Sequence, residues 1–178
     1  LDKCSRVLTQ GLLLSLMSLP LLLVITILTG GMFTAMGHDP EQAALEKTYY
    51  YVLMWGSFFV LLKTCLGCFF SGIGQTKKVM IADIIGVALN VPLSYVMIFG
   101  KAGFPEMGIV GAGIGTIVSN VVSLAIFVAF YSHHSVRIRF NLADSFRFDR
   151  GIIKRFLRLG FPSGMEMFLN VAAFNLFL

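Results

Sequence analysis

The chain has 178 residues, of which 57% are hydrophobic and 13% charged, with 17 Phe and a mean hydropathy of +0.84. So much apolar surface exceeds what one water-soluble core of this length buries, which excludes an ordinary soluble domain and places the chain in a bilayer. The net charge of +5 comes from 14 basic and 9 acidic residues; the bases gather at span ends, so the excess reads as membrane topology and argues against nucleic-acid binding.

A spanning helix needs about 20 mainly apolar residues. Five stretches qualify, from Gly11 to Met36, Thr48 to Phe70, Val79 to Phe99, Gly108 to Tyr131 and Phe156 to Leu178. The predicted fold class is therefore an all-α integral membrane protein with five transmembrane helices. The first stretch is too long for a signal peptide and has no small-residue cleavage site after its apolar core. Because the sequence opens on Leu1 and stops inside "NVAAFNLFL", the chain is expected to be an internal fragment of a longer protein.

The second stretch carries Lys63 near its inner third. Two readings stay open for it: the side chain snorkels to the interface, or it partners an acid in a cavity. "CLGC" sets Cys65 and Cys68 in C-x-x-C spacing, but Cys4 is the only other cysteine, so no second pair completes a zinc site and no metal is expected.

The third stretch holds Asp83, Asn90 and Ser94, which at helical spacing share one face. Polar groups at membrane depth face a bundle interior or a wet cavity, so all three are candidate substrate or ion ligands; the alternatives are an interhelical hydrogen-bond cluster and, for Asp83, solvation beside Lys77 and Lys78. Pro92 cannot donate to the Ala88 carbonyl, which predicts a kink beside Asn90.

In the fourth stretch, "GIVGAGIGT" places Gly111, Gly113 and Gly115 on alternate positions. The order fits neither a dinucleotide fingerprint nor a Walker loop. Read as a helix, Gly111, Gly115, Ser119 and Ser123 recur every four residues and form one smooth packing stripe. A backbone-lined substrate route is the alternative.

The fifth stretch offers Ser163, Glu166 and Asn170 on one face. Glu166 is read either as a titrating group or as a carboxylate favoured by a helix start at Pro162. The basic segment before it interleaves Arg150, Lys154, Arg155 and Arg158 with Ile152, Ile153 and Phe156, so part of it is expected to lie in the membrane interface. His38, His133 and His134 fall in loops, and no H-E-x-x-H or G-x-S-x-G occurs, so an enzyme is not expected.

Five spans alternate their loops strictly. With the N-terminal end inside, eleven bases are cytoplasmic, from Lys3 and Arg6 through Lys77 and Lys78 to Arg158, and only Lys47 and Lys101 lie outside.

The run "LNVPLSYVMIFGKAGFPEMGIVGAGIGT", the turn "SGIGQTKK" before it and "RFLRLGFPSGMEMFLNVAAF" after the basic linker resemble the multidrug and toxic compound extrusion family, MATE, and most of all its NorM-like bacterial branch. The resemblance implies a twelve-helix fold of two six-helix bundles, of which this chain covers about the third to seventh helices. Residues 1–131 would be the last four helices of the N-terminal bundle, 132–155 a cytoplasmic crossover and 156–178 the first helix of the C-terminal bundle. It further implies drug/proton or drug/sodium antiport by alternating access, exporting cationic or aromatic compounds across the bacterial inner membrane, with no cofactor and a monomeric full-length protein. Many family members carry a glutamate where this chain has Asn170; here the acid stands one turn away at Glu166. The alternatives are a flippase for lipid-linked intermediates or oligosaccharides on a related scaffold and, after it, a receptor or channel module.

Overall fold

The computed structural model describes residues 2–30, 40–101, 103–132 and 150–177, all organised as helices and short turns. Among the described residues five helices follow one another: α1 (Asp2–Gly30), α2 (Pro40–Gly72), α3 (Thr76–Ile98), α4 (Gly108–Ser132) and α5 (Arg150–Phe177). Four of them, α1 to α4, contain stretches long and apolar enough to cross a bilayer. α5 is the least apolar of the five, since Arg158, Glu166 and Asn170 interrupt its hydrophobic run.

The helices overrun the apolar stretches because helical hydrogen bonding continues past the point where hydrocarbon gives way to water. α1 starts at Asp2 and α2 at Pro40. α5 starts at Arg150, so the C-terminal end of the segment read as linker is helix. The start at Pro162 is corrected by the same observation: Pro162 lies inside α5, and Glu166 sits about four turns from its first residue. The remainder of the linker, with Arg137, Arg139, Arg147, His133 and His134, lies outside the described residues, as does His38.

α2 and α3 are joined by a tight reversal. Gln75 N–H donates to the Phe70 carbonyl at 2.8 Å and Gly74 N–H to that of Ser71 at 3.0 Å, while Gly74 takes φ +78°, the left-handed value that glycine adopts without strain. Gly100, at φ +61°, closes α3 in the same way, with Lys101 N–H on the Val96 carbonyl at 3.1 Å.

α4 packs closely against both α3 and α2, whereas α2 and α3 diverge from their turn and touch each other little. At the end of the bundle nearest that turn, Phe70 and Phe127 are fully buried and stacked at 5.8 Å, with Phe69, Phe130 and Tyr131 edge-on around them. The Lys78 ammonium lies 5.5 Å from the ring centres of both Phe70 and Phe130. There it faces two aromatic π-faces and the C-terminal ends of α2 and α4, each of which favours a cation. α5 touches α1 alone among the described helices.

Candidate functional site

α4 carries no charged residue and opens on Gly108, with Gly111, Gly113 and Gly115 following within the next two turns. Gly111 and Gly115 face α3: a Cβ on Gly111 would come within 2.5 Å of the Met97 carbonyl oxygen, and one on Gly115 within 3.0 Å of the Ser94 backbone. Gly113 points the other way, where a Cβ would meet Val52 of α2 at 2.9 Å. The glycine triplet therefore lets two helices approach α4 from opposite sides. Periodicity along α4 had picked out the α3 face only.

Further along the seam, Ser119 and Ser123 are buried. Ser123 Oγ donates to the Ala82 carbonyl at 3.2 Å and occupies the place where Gly86 has no side chain. Between these contacts Asn90 crosses from α3, its Nδ2 donating to Thr116 Oγ1 at 3.3 Å and Ser119 Oγ at 3.2 Å. Thr116 passes its own hydroxyl hydrogen to the Ala112 carbonyl at 3.0 Å, and Asn120 Nδ2 reaches the Thr116 carbonyl at 2.9 Å. The result is a polar knot at mid-depth in an otherwise apolar seam. Thr116 and Asn120 belong to it although the sequence did not single them out; their polarity inside an apolar run was the available signal. α3 runs unbroken through Pro92, which is exposed beside the knot.

The three polar residues expected on one face of α3 divide between two neighbours. Asn90 and Ser94 meet α4, whereas Asp83 turns to α2, where Lys63 Nζ stands 2.9 Å from its Oδ1. Of the two geometries left open for Lys63, this is the pairing with an acid. The side chains remain 23% and 45% exposed, yet Oδ1 itself is buried beneath the ammonium without a well-aligned hydrogen bond.

α5 does not join this group. Ser163, Glu166 and Asn170 are all exposed, and Ser163 Oγ donates only to the Leu159 carbonyl of its own helix at 3.2 Å. Cys65 packs against Gly11 of α1 and Cys68 is exposed; both are free thiols, and among the described residues no group of His, Cys, Asp and Glu is placed to hold a metal. Two apolar cavities, of about 400 and 340 Å³, lie against α1 and α2, lined by residues such as Val7, Cys68 and Phe156 in the first and Thr26, Trp55 and Phe58 in the second. Neither contains a charged residue.

The MatE family profile matches residues 2–96. A protein described as a probable multidrug resistance protein NorM, from Pasteurella multocida, is 28% identical over 98% of this chain and 38% of its own length. Among solved structures, an inward-facing multidrug resistance MATE family transporter of the MOP superfamily superposes with a TM-score of 0.75 at 28% identity, covering 89% of this chain and 36% of that one. A MOP superfamily transporter from Pyrococcus furiosus, whose binding pocket is described as having reverse polarity, superposes with a TM-score of 0.82 at 26% identity over 97% of this chain and 38% of that one. The chain thus spans well under half the length of the relatives it matches.

Proposed function

From the premise that this chain belongs to the MatE family of membrane transporters, we propose that the full-length protein is a secondary multidrug efflux transporter of the bacterial inner membrane. It exchanges protons or sodium ions for cationic or aromatic compounds by alternating access. The observation that carries this reading is that the family match falls on α1 to α3 while the likeness to a solved transporter extends over 89% of the chain, with the polar knot of Asn90, Thr116 and Ser119 set at membrane depth between α3 and α4. Residues 1–131 belong to one bundle, and α5 opens the next. In keeping with this, α1 to α4 pack as a series while α5, among the described residues, meets α1 alone. A flippase for lipid-linked phosphates would be favoured by an unpaired base deep in a span, but Lys63 is paired with Asp83.

The activity is tested with everted vesicles containing the full-length protein. Ethidium is expected to accumulate when a proton or sodium gradient is imposed and to leak back when it is collapsed. Vesicles with equal protein content that move no ethidium under either gradient would count against the transporter reading.

The orientation follows from the eleven-to-two division of bases. Single cysteines placed at Gln42 and at Glu106 in a cysteine-free full-length protein are expected to react with an impermeant maleimide from outside intact cells, and one at Thr76 only after permeabilisation. The inverted labelling pattern would reverse the assignment.

A further inference from the structure

Among the described residues, α5 meets the rest of the chain over its first two turns. Ile152, Ile153 and Phe156 are half-buried there, and every residue from Leu157 to Val171 is exposed. Phe156 lines the same cavity as Gly72 and Ile73 at the α2–α3 turn. The start of α5 is therefore level with the end of the apolar stretch of α2 at Gly72, where hydrocarbon gives way to water.

Helical spacing sorts the exposed residues of α5 into two faces. Ser163, Glu166 and Asn170 continue the face that carries Ile152 and Phe156. On the opposite face Arg150, Lys154 and Arg158 stand at four-residue spacing, about 6 Å apart along the axis. Leu157, Phe161, Met165 and Phe168 carry that same face deeper into the apolar run, and all of these side chains are exposed. Arg155 stands between the two faces. Among the described residues none of the three bases on the outer face has an ion-pair partner, and Glu166, the acid of α5, points the other way.

We propose that this face of α5 binds an anionic phospholipid, with the phosphate on Arg150, Lys154 and Arg158 and one acyl chain along Leu157, Phe161 and Met165. The reason is complementarity in two parts at once. Bases at the level of the interface are drawn to anionic headgroups, and guanidinium groups match a phosphate in geometry as well as charge. A soluble polyanion would satisfy the bases but leave the apolar turns above them open to water. A phospholipid covers both, because its charge and its chain are joined in the order in which the face presents them. The bound headgroup pins the start of α5 in the interface while the Glu166 face turns to the protein. The proposal rests on the membrane setting of the helices and not on what the full-length protein transports.

The test places a bimane fluorophore on Phe161→Cys in a cysteine-free full-length protein and reconstitutes it in phosphatidylcholine bilayers. A minority of brominated phosphatidylglycerol is expected to quench it at least threefold more than the same fraction of brominated phosphatidylcholine. The same fluorophore on Ser163→Cys, on the other face, is expected to show no such preference. Neutralising the three bases together, with Arg150→Gln, Lys154→Gln and Arg158→Gln, is expected to bring the ratio at Phe161 close to one. High salt screens exposed charges and is expected to do the same in the parent, which decides the matter where the triple variant fails to fold. A Phe161 reporter that neither lipid quenches would show protein covering this face, and equal quenching by both would show that the bases select nothing. Either result overturns the proposal, as does a preference that survives neutralisation or, failing that variant, high salt.

Discussion

Gly111→Leu is expected to abolish accumulation of the folded full-length protein, while Val128→Leu, on an exposed face of the same helix, leaves it unchanged. At Gly111 even a methyl group would stand 2.5 Å from the Met97 carbonyl oxygen and 2.6 Å from its carbon, and both are backbone atoms that no rotamer change can move. A leucine forces α3 and α4 apart. The consequences extend along the seam, because Asn90 reaches Thr116 and Ser119 only at 3.3 and 3.2 Å, and a separation of one methyl group breaks both bonds. Overpacking of this kind costs about 3 kcal/mol at the upper end of its usual range, enough to change a folded-to-unfolded ratio roughly a hundredfold. In a bilayer no hydrophobic drive holds the helices together in compensation. Fluorescence-detected size-exclusion chromatography of the two variants at equal expression checks the result. A monodisperse Gly111→Leu peak of parental height would mean that the α3–α4 contact is not set by the glycines.

Gly115→Ala serves as the graded companion. Its methyl group meets Ser94 Oγ at 2.7 Å, the end of a side chain, and the Ser94 backbone at 3.0 Å. Rotation of Ser94 relieves the first contact and a small shift the second, so the melting temperature is expected to fall by a few degrees without loss of the peak. A drop as complete as that of Gly111→Leu would show the seam to be less tolerant than these distances imply.

The contrast shows which parts of the molecule were legible beforehand. Apolar stretches of about 20 residues announce helices in any bilayer protein, and the stripe from Gly111 to Ser123 could be read from spacing because i, i+4 positions always share a face. Gly113 could not: periodicity along one helix does not say that a second neighbour will press on the opposite side. That Lys63 could meet an acid was open in the sequence, but not that the acid is Asp83, since their meeting depends on how far α2 and α3 diverge after Gly74. Pro162 misled for a different reason. Proline is favoured at the first helical turn, but the loss of one internal hydrogen bond does not end a long helix, and α5 is helical from Arg150 onward, about three turns upstream of Pro162.

That longer α5 sharpens the expectation for its one acid. Glu166→Gln in the full-length protein is expected to stop gradient-driven ethidium efflux at unchanged expression. With the helix beginning at Arg150, Glu166 stands roughly 24 Å from its N-terminus, well past the first turn in which the helix dipole favours a carboxylate. A helix-start role is thereby removed. Among the described residues no base pairs with it, in contrast to Asp83. α5 is the least apolar of the five helices, and a carboxylate in its middle favours a polar interior over hydrocarbon, the setting in which the proposed exchange of a coupling ion for substrate would use it. Asn170, one turn away on the same face, cannot serve in this way, because an amide neither takes up nor releases a proton in this pH range. Glutamine keeps the size and hydrogen bonding of Glu166 and removes only its titration. Asn170→Ala, by the same logic, is expected to weaken substrate binding while leaving coupled transport measurable at saturating ethidium. Parental efflux rates from Glu166→Gln vesicles would shift the coupling role to Asp83 or to residues beyond these five helices.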